Sequence, residues 1–115
     1  MSQKLITPAR LRHFYESIAK SPPCITWKLP SADKVTIKVA RVYNAFGMFE
    51  DDPYTITICP KHCTTLLEAF ETMAHEIVHL KRCVDKDPDW DDHEEPFQKL
   101  AAEICQTWGF DPAKF

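Results

Sequence analysis

Apolar residues recur along this chain at two different spacings, and each change of spacing marks a new element. Leu11, Phe14, Tyr15 and Ile18 fall three or four positions apart, the interval that lines one face of an α-helix. Pro8 follows Thr7 at the start of this stretch, where a missing N–H is harmless, and Ser21-Pro22-Pro23 stops it after Lys20. Alternation then takes over. Residues 24–29 (CITWKL) read as a short strand, and residues 34–42 (KVTIKVARV) put Val35, Ile37 and Val39 on one face with Thr36 and Lys38 on the other. Asp51-Asp52-Pro53 marks a turn, after which residues 54–59 (YTITIC) alternate again up to Pro60.

Helical spacing returns with Leu66, Phe70, Met73, Ala74, Ile77 and Leu80, a stripe that runs to Arg82 or Cys83. Thr65 and Glu68 form a capping box at its start, the hydroxyl accepting from the backbone and the carboxylate reaching back. A last stripe joins Phe97, Leu100, Ala101, Ile104, Cys105 and Trp108, with Asp92 or a neighbour as cap and Pro96 in the first turn. The pattern predicts one α+β domain over residues 1–115. It has an N-terminal helix, a small three-stranded sheet with antiparallel pairing, and two closing helices.

Composition narrows the function classes. A 115-residue chain with 44% hydrophobic and 27% charged residues reads as one ordinary globular domain. The formal net charge of −3 lacks the basic balance usual in nucleic-acid binders. No apolar run approaches the ~20 residues of a membrane span. The opening MSQKLITPARLRHF has no apolar leader stretch, so a cytoplasmic location is expected. The cysteines at 24, 59, 63, 83 and 105 are odd in number and scattered, which predicts reduced thiols. Cys59 and Cys63 bracket His62 in CPKHC, but no second cysteine pair completes a zinc knuckle.

The penultimate helix carries the chemistry. His75, Glu76 and His79 stand in HEIVH. Residues four apart on a helix point the same way, so both imidazoles reach one ion, and Glu76 lies rotated by roughly 100° to act on a bound water. The plainer alternative is an amphipathic helix whose polar side happens to carry two histidines. Tetrahedral zinc with two helix histidines needs one more protein group. His93, in WDDHEEPFQKL at the start of the last helix, is the favoured third ligand, and Glu103 is its rival. The acidic loop 85–92 fails as a calcium loop, because Trp90 and Pro96 stand where an EF-hand needs Gly and Glu. Asp91 or Asp92 is expected to orient a ligand histidine instead. His13 and His62 are given no role.

HEIVH, a polar loop containing Trp90 and then HEEPFQKL together resemble the SprT-like zinc metalloproteases, which include Spartan-type DNA–protein crosslink proteases. ITICP before the active helix is similar to that family's strand end. The resemblance covers roughly residues 40 to 108 and implies a minimal zincin-like fold. By it, His75, His79 and His93 hold a single catalytic Zn2+ and Glu76 is the general base of peptide-bond hydrolysis. Glu94 departs from the Gly usual in the family. DNA association rests on the resemblance alone, since no zinc ribbon or basic tail follows Trp108.

A zinc held by three neutral imidazoles lowers the pKa of its water toward ~7, and Glu76 then takes the proton and passes it to the leaving amine. The expected substrates are unfolded or extended polypeptide segments, added as a strand along residues 54–59 if that strand is an edge. Arg41, Tyr43 and Tyr54 are the candidates to steady the oxyanion. The alternative function is a non-catalytic, zinc-stabilised binding module associated with protein or DNA.

Overall fold

The structure is a computed structural model and describes residues 5–115. Residues 1–4, where the segment screened for a leader begins, lie outside the described residues. Helix α1 (Pro8–Ala19) starts as the pattern predicts, with Thr7 Oγ1 accepting from Arg10 N at 3.2 Å, and it buries Leu11, Tyr15 and Ile18.

Residues 24–29 do not form the expected strand. Cys24–Thr26 make one turn of 3-10 helix. The buried pair there is Cys24 and Trp27, with Ile25 58% exposed between them. Burial three residues apart is the 3-10 repeat, in which i and i+3 eclipse, whereas the alternation in the sequence lies in Ile25, Trp27 and Leu29 around Thr26 and Lys28. A second such turn, Ala32–Lys34, leads into strand β1 (Thr36–Val39), shorter than the predicted 34–42.

Strand β2 (Gly47–Asp51) is absent from the pattern analysis, because Phe49 is its only buried residue and one position has no period. Strand β3 (Tyr54–Ile58) follows. The sheet order is β1-β3-β2: β1 pairs parallel to β3, Thr36 opposite Thr55, and β2 pairs antiparallel, Gly47 opposite Ile58. The chain is therefore α+β with three α-helices and a three-stranded mixed sheet among the described residues. β3 is central, with Thr55 to Ile58 all buried. The expectation that a substrate pairs along residues 54–59 is thereby corrected, since both neighbours of that strand are already in place.

Helix α2 (Leu66–Val84) packs against α1, β2, β3 and helix α3 (Glu95–Trp108). Its capping box is complete, with Glu68 N to Thr65 Oγ1 and Thr65 N to Glu68 Oε1 both at 3.1 Å. Leu66 sits exposed in the first turn rather than in the buried stripe, which runs through Ala69, Met73, Ala74, Ile77, Val78 and Leu80. Burying each of the large members stabilises by about 1.5–3 kcal/mol, so α2 is the most firmly held element and whatever it carries is fixed. α3 buries Phe97, Ala101, Ile104 and Cys105 and ends at Gly109, whose φ of 79° suits glycine. All five cysteines are free, and no helix is long and apolar enough to cross a membrane among the described residues.

Candidate metal centre

The same turns of α2 that anchor the core present His75, Glu76 and His79 on its cavity side. His93 comes from the segment joining α2 to α3, two residues before α3 begins. The fold brings the three imidazoles together. His93 Nε2 lies 3.1 Å from His75 Nε2 and 3.2 Å from His79 Nε2, and the donor atoms of all three fall within 4.8 Å of one another. No other group of three such donors converges among the described residues.

The tautomers follow from the outer ring nitrogens. His75 Nδ1 is 2.9 Å from the Phe115 main-chain oxygen, and His79 Nδ1 is 2.7 Å from the Trp90 carbonyl. Both partners only accept, so both Nδ1 atoms carry the hydrogen and both Nε2 atoms present lone pairs to the centre. Crowded lone pairs need a proton or a cation between them. Tetrahedral zinc, with bonds of ~2.0–2.1 Å, would set adjacent ligand nitrogens ~3.3 Å apart, close to the two spacings that His93 makes. The donor set therefore fits a metal ion of the zinc type, and the charge state agrees. Burial, then the nearby His79 and His93, lower the His75 pKa to about 4, against an opposing pull from the Phe115 oxygen. Burial likewise lowers that of His79. Both rings are neutral at pH 7, as ligation requires.

Phe97 lies beneath all three rings, with centroid distances of 4.9, 4.9 and 4.7 Å to His75, His79 and His93. Sequence reading assigned Phe97 to the core alone. Its place four residues after His93, in the first turn of α3, is the signal that could have revealed the second role. The expected orienting carboxylates are corrected too. Asp92 accepts from Arg82 and not from a histidine, and His75 and His79 are oriented by main-chain oxygens that no side-chain motif encodes.

Glu76 is 5% exposed, and desolvation alone raises its pKa to about 8. A cation on the adjacent nitrogens opposes that shift and favours the carboxylate. β2 passes close by. A Cβ on Gly47 would fall 3.4 Å from Glu76 Oε2 and 2.7 Å from Thr72 Cγ2, so glycine is what lets the strand approach Glu76. Gly47 is one of two glycines in the chain, the one available hint of this contact.

A cavity of about 860 Å3 opens over the centre, a size usual for ligand sites. Phe46, Met48, Phe49, Trp90 and Phe115 supply its apolar walls, and among the described residues Lys114 is the only lysine or arginine lining it. Arg41, Tyr43 and Tyr54, the sequence candidates for steadying an oxyanion, do not line it, and Tyr43 is 95% exposed. Glu103 is exposed on α3 outside the cavity, so the structure gathers His93 and leaves the rival apart. His13 and His62 lie elsewhere, beside Glu16 and Cys59. Comparison with protein-family models, with curated proteins and with solved structures finds no match to this chain.

Proposed function

We propose that this chain is a zinc-dependent metallopeptidase of SprT-like type, holding one Zn2+ on His75, His79 and His93 and using Glu76 as general base. The observation that carries this reading is the convergence of three Nε2 atoms at the floor of an open cavity with a buried carboxylate beside them. A structural zinc is closed by four protein ligands. Here three protein groups converge and line an open cavity, which favours catalysis over the binding-module alternative.

Bound zinc would supply Lewis acidity toward a carbonyl oxygen and acidify water. The chain's own groups do the rest. Glu76 accepts the proton of the attacking water on its carboxylate and returns it to the amide nitrogen as the C–N bond breaks. Phe97 packs against all three imidazoles and keeps water from that side of the centre. Lys114 replaces the residues named from sequence as the positive group available to the oxyanion. β2 is the outer strand beside the cavity, so its unpaired edge, rather than β3, is the place for an extended polypeptide to add as a strand. A folded segment cannot pair this way, so the expected substrates are unfolded or flexible. The formal charge of −3 gives no support to DNA association.

The test is metal analysis of purified protein, followed by cleavage of denatured casein by wild type, chelated protein and Glu76→Gln. Glu76→Gln keeps size and hydrogen bonding but accepts no proton, so it should retain zinc and lose cleavage. Equal cleavage by wild type and Glu76→Gln would remove the catalytic reading, and protein isolated from zinc-replete cells without metal would remove the zinc reading. Including DNA-bound basic proteins decides whether DNA stimulates the reaction.

A further inference from the structure

The segment between Val84 and Glu95 contains no helix or strand, and most of it, His93 included, is exposed. It nevertheless makes two contributions to the metal centre: the Trp90 carbonyl that orients His79, and His93 itself. Such a stretch would not hold two groups within tenths of an ångström unless something fixed it. The Trp90 ring does so in part, packing edge-on to Phe49 at 5.3 Å.

A single side chain accounts for most of the rest. Arg82 sits on α2 three residues beyond His79, and so on a neighbouring face of the helix. It is 3% exposed. Its Nε donates to Asp87 Oδ2 at 3.0 Å, and Nη2 lies 2.9 Å from the same oxygen. Nη1 donates to the Asp92 carbonyl at 2.8 Å and to Asp92 Oδ1 at 2.9 Å. The Asp92 carbonyl belongs to the peptide group that enters His93. On the far side of His93, Gln98 Nε2 donates to the His93 carbonyl at 3.1 Å. One guanidinium thus ties both ends of the 87–92 stretch to the rigid helix that carries the other two ligands.

A buried arginine is an expensive way to fill space. An apolar side chain of similar volume often stabilises a fold as well or better, because it carries no desolvation penalty. What the guanidinium supplies and an apolar chain does not is a planar fork of donors with fixed directions.

We propose that Arg82 is the positioning residue of the metal centre, setting the placement of His93 and of the Trp90 carbonyl through its fork on Asp87 and Asp92. It touches neither metal nor substrate. The inference rests on the metal-site reading above, deepens it, and can be tested apart from it.

The full-length chain is compared with Arg82→Met, Arg82→Lys and the control Lys81→Met. Lys81→Met removes a neighbouring cation that bonds Asp85 and the Trp27 carbonyl, outside the clamp. Three quantities are read: zinc affinity against a chromophoric chelator, the visible spectrum after Co2+ substitution, and amide hydrogen exchange of the metal-free protein. Arg82→Met should weaken zinc binding about 10–100-fold, as loss of an orienting partner typically does. It should also alter the cobalt bands and speed exchange at the Trp90 and Asp92 amides, which bond to Asp87 and Asp89, while α2 stays protected. Arg82→Lys, a point charge without the fork, should recover only part of the affinity, and Lys81→Met should match wild type. Should Arg82→Met not fold, Asp87→Ala removes half of the clamp from a more exposed position and should shift all three quantities in the same direction by less. Folded Arg82→Met with wild-type affinity, cobalt spectrum and exchange overturns the proposal. If wild type itself takes up no zinc, the peptidase reading falls, and exchange in the metal-free protein still judges the clamp.

Discussion

Gly47→Ala is the most searching small perturbation of this site, because it adds one methyl group where β2 crosses α2. That methyl would stand 2.7 Å from Thr72 Cγ2 and 2.8 Å from the Thr57 carbonyl oxygen, both closer than real Cβ contacts, with Glu76 Oε2 at 3.4 Å. The Thr57 oxygen belongs to the central strand and cannot swing away. Thr72 is β-branched and stiff at χ1, and its hydroxyl is engaged with Cys63 Sγ at 3.4 Å. β2 must therefore move outward or α2 must give. Overpacking of this kind costs about 1–3 kcal/mol. Gly47 lies in an ordinary strand, so alanine recovers about 0.4–1 kcal/mol by restricting the unfolded chain. The net expectation is a loss of about 0–2.6 kcal/mol, centred at about 1.3 kcal/mol, a central value that lowers Tm by roughly 4–10 °C in a domain of this size. The histidines are not in the clash, so zinc affinity should change little. Cleavage should suffer more, since a displacement of about 1 Å at a catalytic group can cost about 10²-fold. Thermal melts, chelator competition and casein cleavage on the same preparation separate these effects, and Thr72→Ser in the Gly47→Ala background should restore part of the loss. A Gly47→Ala protein that melts and cleaves like wild type would falsify the close approach of β2 to the base.

Other expectations follow from the same geometry. His93→Ala should lower zinc retention by a large factor, and His79→Ala protein should melt at the temperature of chelated wild type whether or not chelator is present. Glu103→Ala should leave retention unchanged, and the reverse ranking of His93 and Glu103 would displace the ligand assignment. Thr65→Ala should cost about 1 kcal/mol through loss of the α2 cap, read by thermal melts at neutral pH. The Thr64 hydroxyl, first, and then the Thr64 and Thr65 amides hold the Glu68 pKa below its usual 4.5. A depressed pKa stabilises the fold above the unfolded value and loses that contribution as pH falls through the folded one. Glu68→Gln should therefore melt below wild type at pH 7, with the gap closing in acid; a gap independent of pH would remove the carboxylate from the cap.

What the sequence determined by itself is local and periodic. Helical spacing and a capping box located α1, α2 and α3 within a residue or two, because in each a buried stripe repeats over several turns. The HEIVH pair was legible for the same reason, since an offset of four on a helix fixes two side chains to one side whatever the rest of the chain does. His93 could be nominated from its place before Pro96 and Phe97, but only the tertiary placement of the segment joining α2 to α3 brought its Nε2 to 3.1 and 3.2 Å from the other two. Strand order was beyond the sequence. Residues 54–58 alternate as any half-buried strand does, and their central place depends on partners 36–39 and 47–51. The second partner carries a single buried residue and so no period to read. Residues 24–29 misled for the opposite reason, because Ile25, Trp27 and Leu29 alternate with Thr26 and Lys28, while the structure buries Cys24 and Trp27, three apart, and exposes Ile25. The groups that orient His79 and His75 are main-chain oxygens of Trp90 and Phe115, and every residue has one. Which of them reaches the centre is decided by where the loop and the terminal segment pack, a choice that only tertiary structure makes.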